Sequence, residues 1–204
     1  MIEVIQGLNN QPILYYLYLQ NNKIKDIGEL QMPALKKLYL DDNDLQGVSG
    51  LSQCIILEEL HLGRQRLPTF TSLGFEQESL NAISRTLQVL DISGCGINVL
   101  SQFRNLRMLR KIFAKENLIN DLNEVEAMMS LPRIEEANFA DNPCCKMYKY
   151  RDVVIAAGPD TLKFLDGTEV LPHQQVAIRG LVAMRRKEGF LTHFIPPDER
   201  FSED

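Results

Sequence analysis

Apolar residues along this chain fall on a repeating beat, L-x-x-L-x-L-x-x-N. Leu14, Leu17, Leu19 and Asn22 form the first copy, and Leu35, Leu38, Leu40 and Asn43 the second. Leu57, Leu60, Leu62 and Gln65 follow, then Leu87, Leu90, Ile92 and Cys95. Leu109, Ile112, Ala114 and Asn117 make the fifth, and Ile134, Ala137, Phe139 and Asn142 the sixth. Successive copies start 21, 22, 30, 22 and 25 residues apart. The last two apolar positions of each copy lie two apart, so in a strand they point into one core. The following turn adds a third inward residue, such as Ile24, Leu45, Ile97 or Ile119. The ninth position (Asn22, Asn43, Gln65, Cys95, Asn117, Asn142) is expected inside the loop, satisfying backbone groups that no strand ladder reaches. Gln65, one methylene longer, predicts a distorted turn there. One copy cannot bury its own apolar face, so only stacking makes a continuous core.

The second half of each unit reads Ile24, Ile27, Leu30; Leu45, Val48, Leu51; and Ile97, Leu100, Phe103. That length predicts turn or 3₁₀ structure on the outer side of the stack. Ile2, Ile5 and Leu8 lie 22 residues before Ile24, Ile27 and Leu30, so Met1–Pro12 fits the same half-unit. The chain is therefore expected to begin in mid-repeat with an uncapped edge. The third unit is eight residues longer, and Phe75, Leu80, Ile83 and Leu87 there have roughly helical spacing. In the fifth, Leu122, Val125 and Met128 predict a helix ending near Leu131-Pro132. Tyr150, Val153, Val154 and Ala157 predict another, stopped by Gly158-Pro159. Leu162 and Leu165 read as a final strand. A last helix over 174–187 is expected to pack through Ala177, Leu181 and Met184, and the tail from Phe190 to Asp204 to be loosely held. The expected organisation is repeats over 1–143, a cap over 144–170, and a helix with tail over 171–204.

The repeat is similar to the 22-residue class of leucine-rich repeats, in which Cys is an accepted substitute in the Asn column. The resemblance implies an α/β solenoid: parallel strands on a concave face, short 3₁₀ or helical segments on the convex face, and a helical C-terminal cap. Asn142-Pro143, Tyr150-Arg151-Asp152 and Leu162-x-x-Leu165-Asp166-Gly167 resemble the cap shared by the spliceosomal A-prime protein and axonemal dynein light chain 1. The third unit has Glu59-Leu60-His61, Gln65-Arg66-Leu67-Pro68, Leu73-x-Phe75, Ser79-Leu80 and Ile83-Ser84. It resembles testis leucine-rich-repeat regulatory subunits of type-one protein phosphatase, tied to microtubule structures.

In the predicted strands, the residue between the last two apolar positions faces outward. That column reads Tyr18, Tyr39, His61, Asp91, Phe113 and Asn138. Two positions earlier stand Tyr16, Lys37, Glu59, Val89, Lys111 and Glu136. Aromatics on a rigid scaffold are typical binding anchors, although strand aromatics also serve simply to cover their neighbours. Of these, Tyr16, Tyr18, Tyr39, Glu59, His61, Asp91, Phe113, Glu136 and Asn138 are the candidate protein-binding residues. Asp41, Asp42, Glu58, Glu59, Glu135 and Glu136 fall on or beside this face. An open sheet cannot desolvate paired carboxylates for acid–base catalysis, so the acids point to a basic partner instead.

The remaining motifs read as structural. Gly94-Cys95-Gly96 sits at the Asn-column turn, and no third glycine follows at Val99 to make a nucleotide-binding loop. Cys144-Cys145 is a poor metal spacing with no nearby His, and His61, His173 and His193 form no ligand motif, so no metal or other cofactor is expected. Arg185-Arg186-Lys187 fits a solvated helix C-terminus, with contact to an acidic surface such as tubulin as the alternative. A basic-Val/Ile-x-Phe/Trp phosphatase docking string is absent: Lys111-Ile112-Phe113 lacks the spacer.

Composition narrows the partner. The 204 residues carry 22 Lys plus Arg and 27 Asp plus Glu, a net charge of −5 that suits a nucleic acid poorly. No apolar run approaches the roughly 18 residues of a membrane span. Met1-Ile2-Glu3-Val4 lacks the order of a signal peptide. Cys54, Cys95, Cys144 and Cys145 read as reduced cytosolic thiols. The expectation is a non-catalytic scaffold with a protein on its concave face and no small-molecule substrate. By resemblance, the partner is the phosphatase-1 catalytic subunit, and the place is the centrosome, cilium or flagellar axoneme in the cytoplasm. Tubulin or axonemal proteins are further candidate partners. A structural axonemal component without a phosphatase role, and an RNA-associated splicing adaptor, are the alternatives.

Overall fold

The computed structural model describes residues 1–8 and 11–187. In chain order the strands and helices are β1 (Tyr16–Tyr18), β2 (Lys37–Tyr39), β3 (Gly47–Val48), β4 (Glu59–His61), β5 (Gly74–Phe75), α1 (Gln77–Ile83), β6 (Val89–Asp91), β7 (Lys111–Phe113), α2 (Leu122–Met129), β8 (Glu136–Asn138), α3 (Tyr150–Ala157), β9 (Phe164–Leu165), β10 (Thr168–Glu169) and α4 (Pro172–Lys187). One sheet runs β1-β2-β4-β6-β7-β8-β9-β10. Its strands pair in parallel, except the terminal β9–β10 hairpin. The register sets Leu17, Leu38, Leu60, Leu90, Ile112, Ala137 and Leu165 side by side. All are buried, as are the third inward residues Ile24, Leu45, Ile97 and Ile119.

Five of the six repeat strands end in a turn locked by a side-chain amide of the Asn column. Asn43 Nδ2 donates to the carbonyls of Leu40 and of Leu19 in the preceding coil, while its Oδ1 accepts from Ile24 N. Asn117 bridges the Ala114 and Ile92 carbonyls and the Cys95 and Ile97 N–H groups. Asn142 bridges Phe139, Ala114 and Ile119 in the same way. The residue before each column position takes a left-handed conformation: Asn21, Asp42, Arg64, Gly94, Glu116 and Asp141. The clasp compensates the strain this imposes on the non-glycines.

The distortion expected at Gln65 spares that residue's own side-chain clasp. Its Nε2 donates to Leu40 and Leu62 and its Oε1 accepts from Leu45 N, reproducing the Asn pattern. The chain departs from the regular path directly after it, where the next coil offers Cys95 in place of an amide. The Cys95 thiol donates to the Leu62 carbonyl but supplies no amide oxygen to receive an N–H from the coil before it. Leu67 N turns back to Gln65 O, and the chain leaves the regular path. Gly96 lets that path return: a Cβ there would come within 2.4 Å of the Thr71 carbonyl.

On the convex side, α2 matches the expectation in place and type, capped by Asp121 Oδ1 on Asn123 N. In the third unit the helix is shorter than the apolar spacing implied. Phe75 lies in β5, which pairs with β3, and only Gln77–Ile83 is helical. Ile2 N donates to Asn22 Oδ1 and Lys23 N to Ile2 O, so the first residues fill the same half-unit as Ile24 and Leu45. Ile5 and Leu8 pack half-buried, while Met1 and Val4 are exposed.

The other end is closed by Asp166. Its Oδ1 accepts from Phe139 N and its Oδ2 from the Tyr150 hydroxyl, while Arg151 donates to Leu165 O. The final strand is Phe164–Leu165, with Leu162 buried ahead of it. Helix α4 docks differently from the expectation: Ala177, Leu181 and Met184 are exposed. The helix packs through Gln175, Ile178 and Val182, and its hold is largely polar. Gln175 Nε2 donates to the carbonyls of Ile155, Gly158 and Pro159, and Arg179 donates to Gly158 O. These satisfy the carbonyls left open at the end of α3. The tail from Phe190 lies outside the described residues.

Three expected outcomes follow from this packing. Leu90→Ala should cost about 2–5 kcal/mol in urea unfolding, because its site is closed on all sides. Asn117→Ala should cost about 1–3 kcal/mol at least, since it strands buried backbone groups; a loss under about 0.5 kcal/mol would show that water replaces the clasp. The four cysteines are free, but Cys54, Cys95 and Cys144 are fully buried, and burial pushes the Cys54 and Cys95 thiols up to about 12. Alkylation of the native chain near neutral pH should therefore mark Cys145 alone, read by peptide mass spectrometry.

Candidate functional site

The register puts Tyr18, Tyr39, His61, Asp91, Phe113 and Asn138 in one row across the concave sheet, and Tyr16, Lys37, Glu59, Val89, Lys111 and Glu136 in a second. At one end the first row is a π-stack. Tyr18 lies 4.8 Å from Tyr39 at 25°, and Tyr39 lies 4.2 Å from His61 at 8°. Stacking half-buries Tyr39 and His61 and leaves Tyr18 open, with Tyr16 exposed beside it under the Lys37 ammonium. Tyr39 Oη donates to Glu59 Oε2 at 2.8 Å. Burial and that bond push the Tyr39 phenol well above its usual range. Burial opposes ionisation of Glu59, yet bonds from Lys37 and Tyr39 hold its carboxyl below the ordinary value.

The acids are less available to a partner than the sequence implied. Cross-strand pairs neutralise most of them: Lys36–Glu58, Lys37–Glu59, Arg64–Asp42, Arg110–Glu135 and Lys111–Glu136. Each pair joins neighbouring coils, because the register brings positions about 22 residues apart face to face. Among the described residues, Asp41 and Asp91 form no ion pair with a lysine or arginine. They lie on either side of His61, and burial together with the Asp91 charge raises the Asp41 carboxyl.

Asp41 joins this cluster from just beyond β2, a placement the two strand columns alone did not give. Phe70 was also outside the sequence reading. It is fully exposed with a left-handed backbone in the loop the third unit adds, so the Pro68-Thr69-Phe70-Thr71 insertion was its signal. The Gly94-Cys95-Gly96 turn is part of the coil. Cys144 is buried beside half-buried Cys145. Arg186 pairs with Glu126 on α2 at 2.5 Å, so the basic end of α4 is not wholly solvated.

The chain matches the family model "Leucine Rich repeats (2 copies)" over residues 14–53 and "Leucine Rich Repeat" over 86–106. Its backbone is similar to a chain of the Drosophila melanogaster SNF/U2A' complex, with a TM-score of 0.56 at 18% identity, covering 94% of this chain and 99% of that one. The fold is a leucine-rich-repeat solenoid. An internalin (inlF) of Listeria monocytogenes gives a TM-score of 0.52 at 16% identity over 83% of this chain and 52% of that one. In sequence, the solenoid is 28% identical over 152 residues to leucine-rich repeat-containing protein 23 of Bos taurus, covering 74% of this chain and 36% of the relative. It is 30% identical over 80 residues to cilia- and flagella-associated protein 410 of Mus musculus, covering 38% and 32%. The chain thus spans about a third of the length of these curated relatives. No helix among the described residues is long and apolar enough to cross a membrane.

The geometry separates two kinds of aromatic. Tyr39→Phe removes the bond to Glu59 and should cost about 0.5–1.5 kcal/mol in equilibrium unfolding. Tyr18→Ala, at the exposed end of the stack, should change stability by less than about 0.5 kcal/mol. Equal losses would mean that the stack, not the hydroxyl, holds Tyr39.

Proposed function

We propose that this solenoid is a non-catalytic scaffold that binds a protein on its concave face and recruits type-one phosphatase to a ciliary, flagellar or centrosomal structure. The aromatic row carries the reading: Tyr18, Tyr39 and Phe113 stand on a sheet face that no other described element covers. Such a face is held rigid by the clasped turns, so docking loses little conformational entropy. The likeness to cilia- and flagella-associated protein 410 supports the location, and the third unit's resemblance to phosphatase regulators supports the partner. Tyr16, Glu59, His61, Asp91, Glu136 and Asn138 form the polar surround of the aromatic row.

A second reading has its own support. One curated relative is cilia- and flagella-associated by name, whereas the chain carries no phosphatase docking string. On that reading the protein is a structural axonemal component with no phosphatase role. The likeness to the SNF/U2A' chain concerns the backbone alone, so a splicing adaptor gains nothing further from it.

Binding of the purified full chain to phosphatase-1 catalytic subunit, and separately to axonemal extract, tests both. Tyr18→Ala with Phe113→Ala should weaken the operative interaction by roughly thirtyfold for each residue that anchors it. The convex pair Lys25→Ala and Glu29→Ala, both exposed, should change nothing. Equal binding by concave and convex variants would dismiss the concave-face reading. Loss of an axonemal partner by the concave variant, with no phosphatase binding by wild type, would establish the structural role instead.

A further inference from the structure

Three polar side chains from adjacent coils converge at the centre of the concave sheet. Asp41 follows β2, His61 ends β4 and Asp91 ends β6, and one oxygen or nitrogen from each lies within 4.8 Å of the other two. Each is held in place by a different contact. Gly63 N donates to Asp41 Oδ1, and Ser93 N donates to Asp91 Oδ1, both at 2.9 Å. One oxygen of each carboxylate is thereby anchored and the other is left for a ligand. The His61 ring lies flat against Tyr39. Its side chain is 17% exposed, and its Nε2 is buried with no hydrogen-bond partner; the nearest carboxylate, Glu59 Oε2, is 3.8 Å away. A buried nitrogen without a partner is costly, and such atoms commonly mark a site completed by something else.

The surroundings suit a cation. Asp42, Glu58 and Glu59 each have a Lys or Arg partner, while Asp41 and Asp91 face each other without one. Arg64 feels both charges, but its guanidinium is committed to Asp42 through two hydrogen bonds. Position 63 is glycine between the two carboxylates. A Cβ there would sit 3.1 Å from Asp41 Oδ1 and 3.4 Å from Asp91 Oδ1, crowding both anchored oxygens.

We propose that Asp41, His61 and Asp91 form a divalent transition-metal site of the zinc type on the concave face. One imidazole nitrogen and two carboxylate oxygens suit zinc, with bonds of roughly 2.0–2.2 Å, whereas calcium takes six to eight oxygen ligands. Ligand atoms around a tetrahedral ion with such bonds lie about 3.4 Å apart, so separations of up to 4.8 Å must close by up to about 1.4 Å. Three protein ligands leave one tetrahedral position open. A water or a side chain from a docked partner can fill it. The metal site stands independently of the phosphatase reading, because the chain alone supplies three ligands.

The test uses the full chain stripped with chelator, then titrated with zinc by calorimetry and with cobalt by visible absorption. One ion per chain should bind in the micromolar range, and the cobalt complex should show d–d bands without a thiolate charge-transfer band. Asp41→Asn and Asp91→Asn keep the oxygen that anchors Gly63 N and Ser93 N but remove the charge. Each should weaken binding at least tenfold while the circular dichroism spectrum stays that of wild type. His61→Phe preserves a flat ring on Tyr39 and should do the same, while Cys145→Ser should leave affinity unchanged. Zinc should raise the melting temperature of wild type and not of Asp91→Asn. The proposal fails if no saturable binding occurs below millimolar metal, if the Asn variants bind as wild type, or if Cys145→Ser abolishes binding.

Discussion

The parallel stack depends on one bond set, the amide clasp at the end of each strand. A parallel ladder leaves backbone groups unpaired where the chain turns away, and in a buried turn these have no access to water. A side-chain amide supplies both missing functions: its NH₂ reaches carbonyls of its own coil and the preceding one, and its oxygen accepts an N–H from the preceding coil. The clasp therefore works between coils, not within one. It fixes the axial spacing of the stack and also offsets the strain of the left-handed residue before it. Stability is shared along the array because each clasp belongs to two neighbours.

Fixing the coils in register fixes the concave face as well. Residues about 22 apart become cross-strand neighbours, so every surface choice is made in rows. Aromatics in a row stack, and opposite charges in a row pair. Like charges that meet from different rows have no such relief, and Asp91 with Asp41, which lies just past the row on the β2 side, is that case. The same rule that makes the sheet regular thus makes its exceptions conspicuous.

That rule also explains what the sequence made legible. The six strands, the identity of each inward residue and both outer columns follow from a period-two pattern repeated at near-constant intervals. The column of Asn22, Asn43, Asn117 and Asn142 was legible for the same reason. The irregular turn at Gln65 was legible but its cause was not, because side-chain length is a poor guide when the acceptor and donor positions can still be reached. The packing face of α4 was misread because periodic apolar residues at Ala177, Leu181 and Met184 outweighed two polar ones. Gln175 and Arg179 dock the helix by capping α3, an interaction that leaves no hydrophobic period. The convergence of Asp41 on His61 and Asp91 was invisible for another reason. Its members are 20 and 30 residues apart, and no local motif expresses a spacing set by the stack.

The third unit shows how one column residue redirects a local path. Cys95 is small enough to stay inside the turn and donates its thiol to Leu62 O, but it lacks the amide oxygen that holds the previous coil elsewhere. Released from that restraint, the chain after Gln65 carries the added loop with Phe70 at its surface, then returns through β5 against β3. Arg66 closes the gap from outside, pairing with Asp44 and donating to the Asp42 and Asn22 carbonyls. The core clasp of Gln65 is untouched by this excursion, so His61, two residues before Gly63, keeps its place in the row. A single weakened clasp thereby permits a distinctive outer loop while the inner face beside it stays in register.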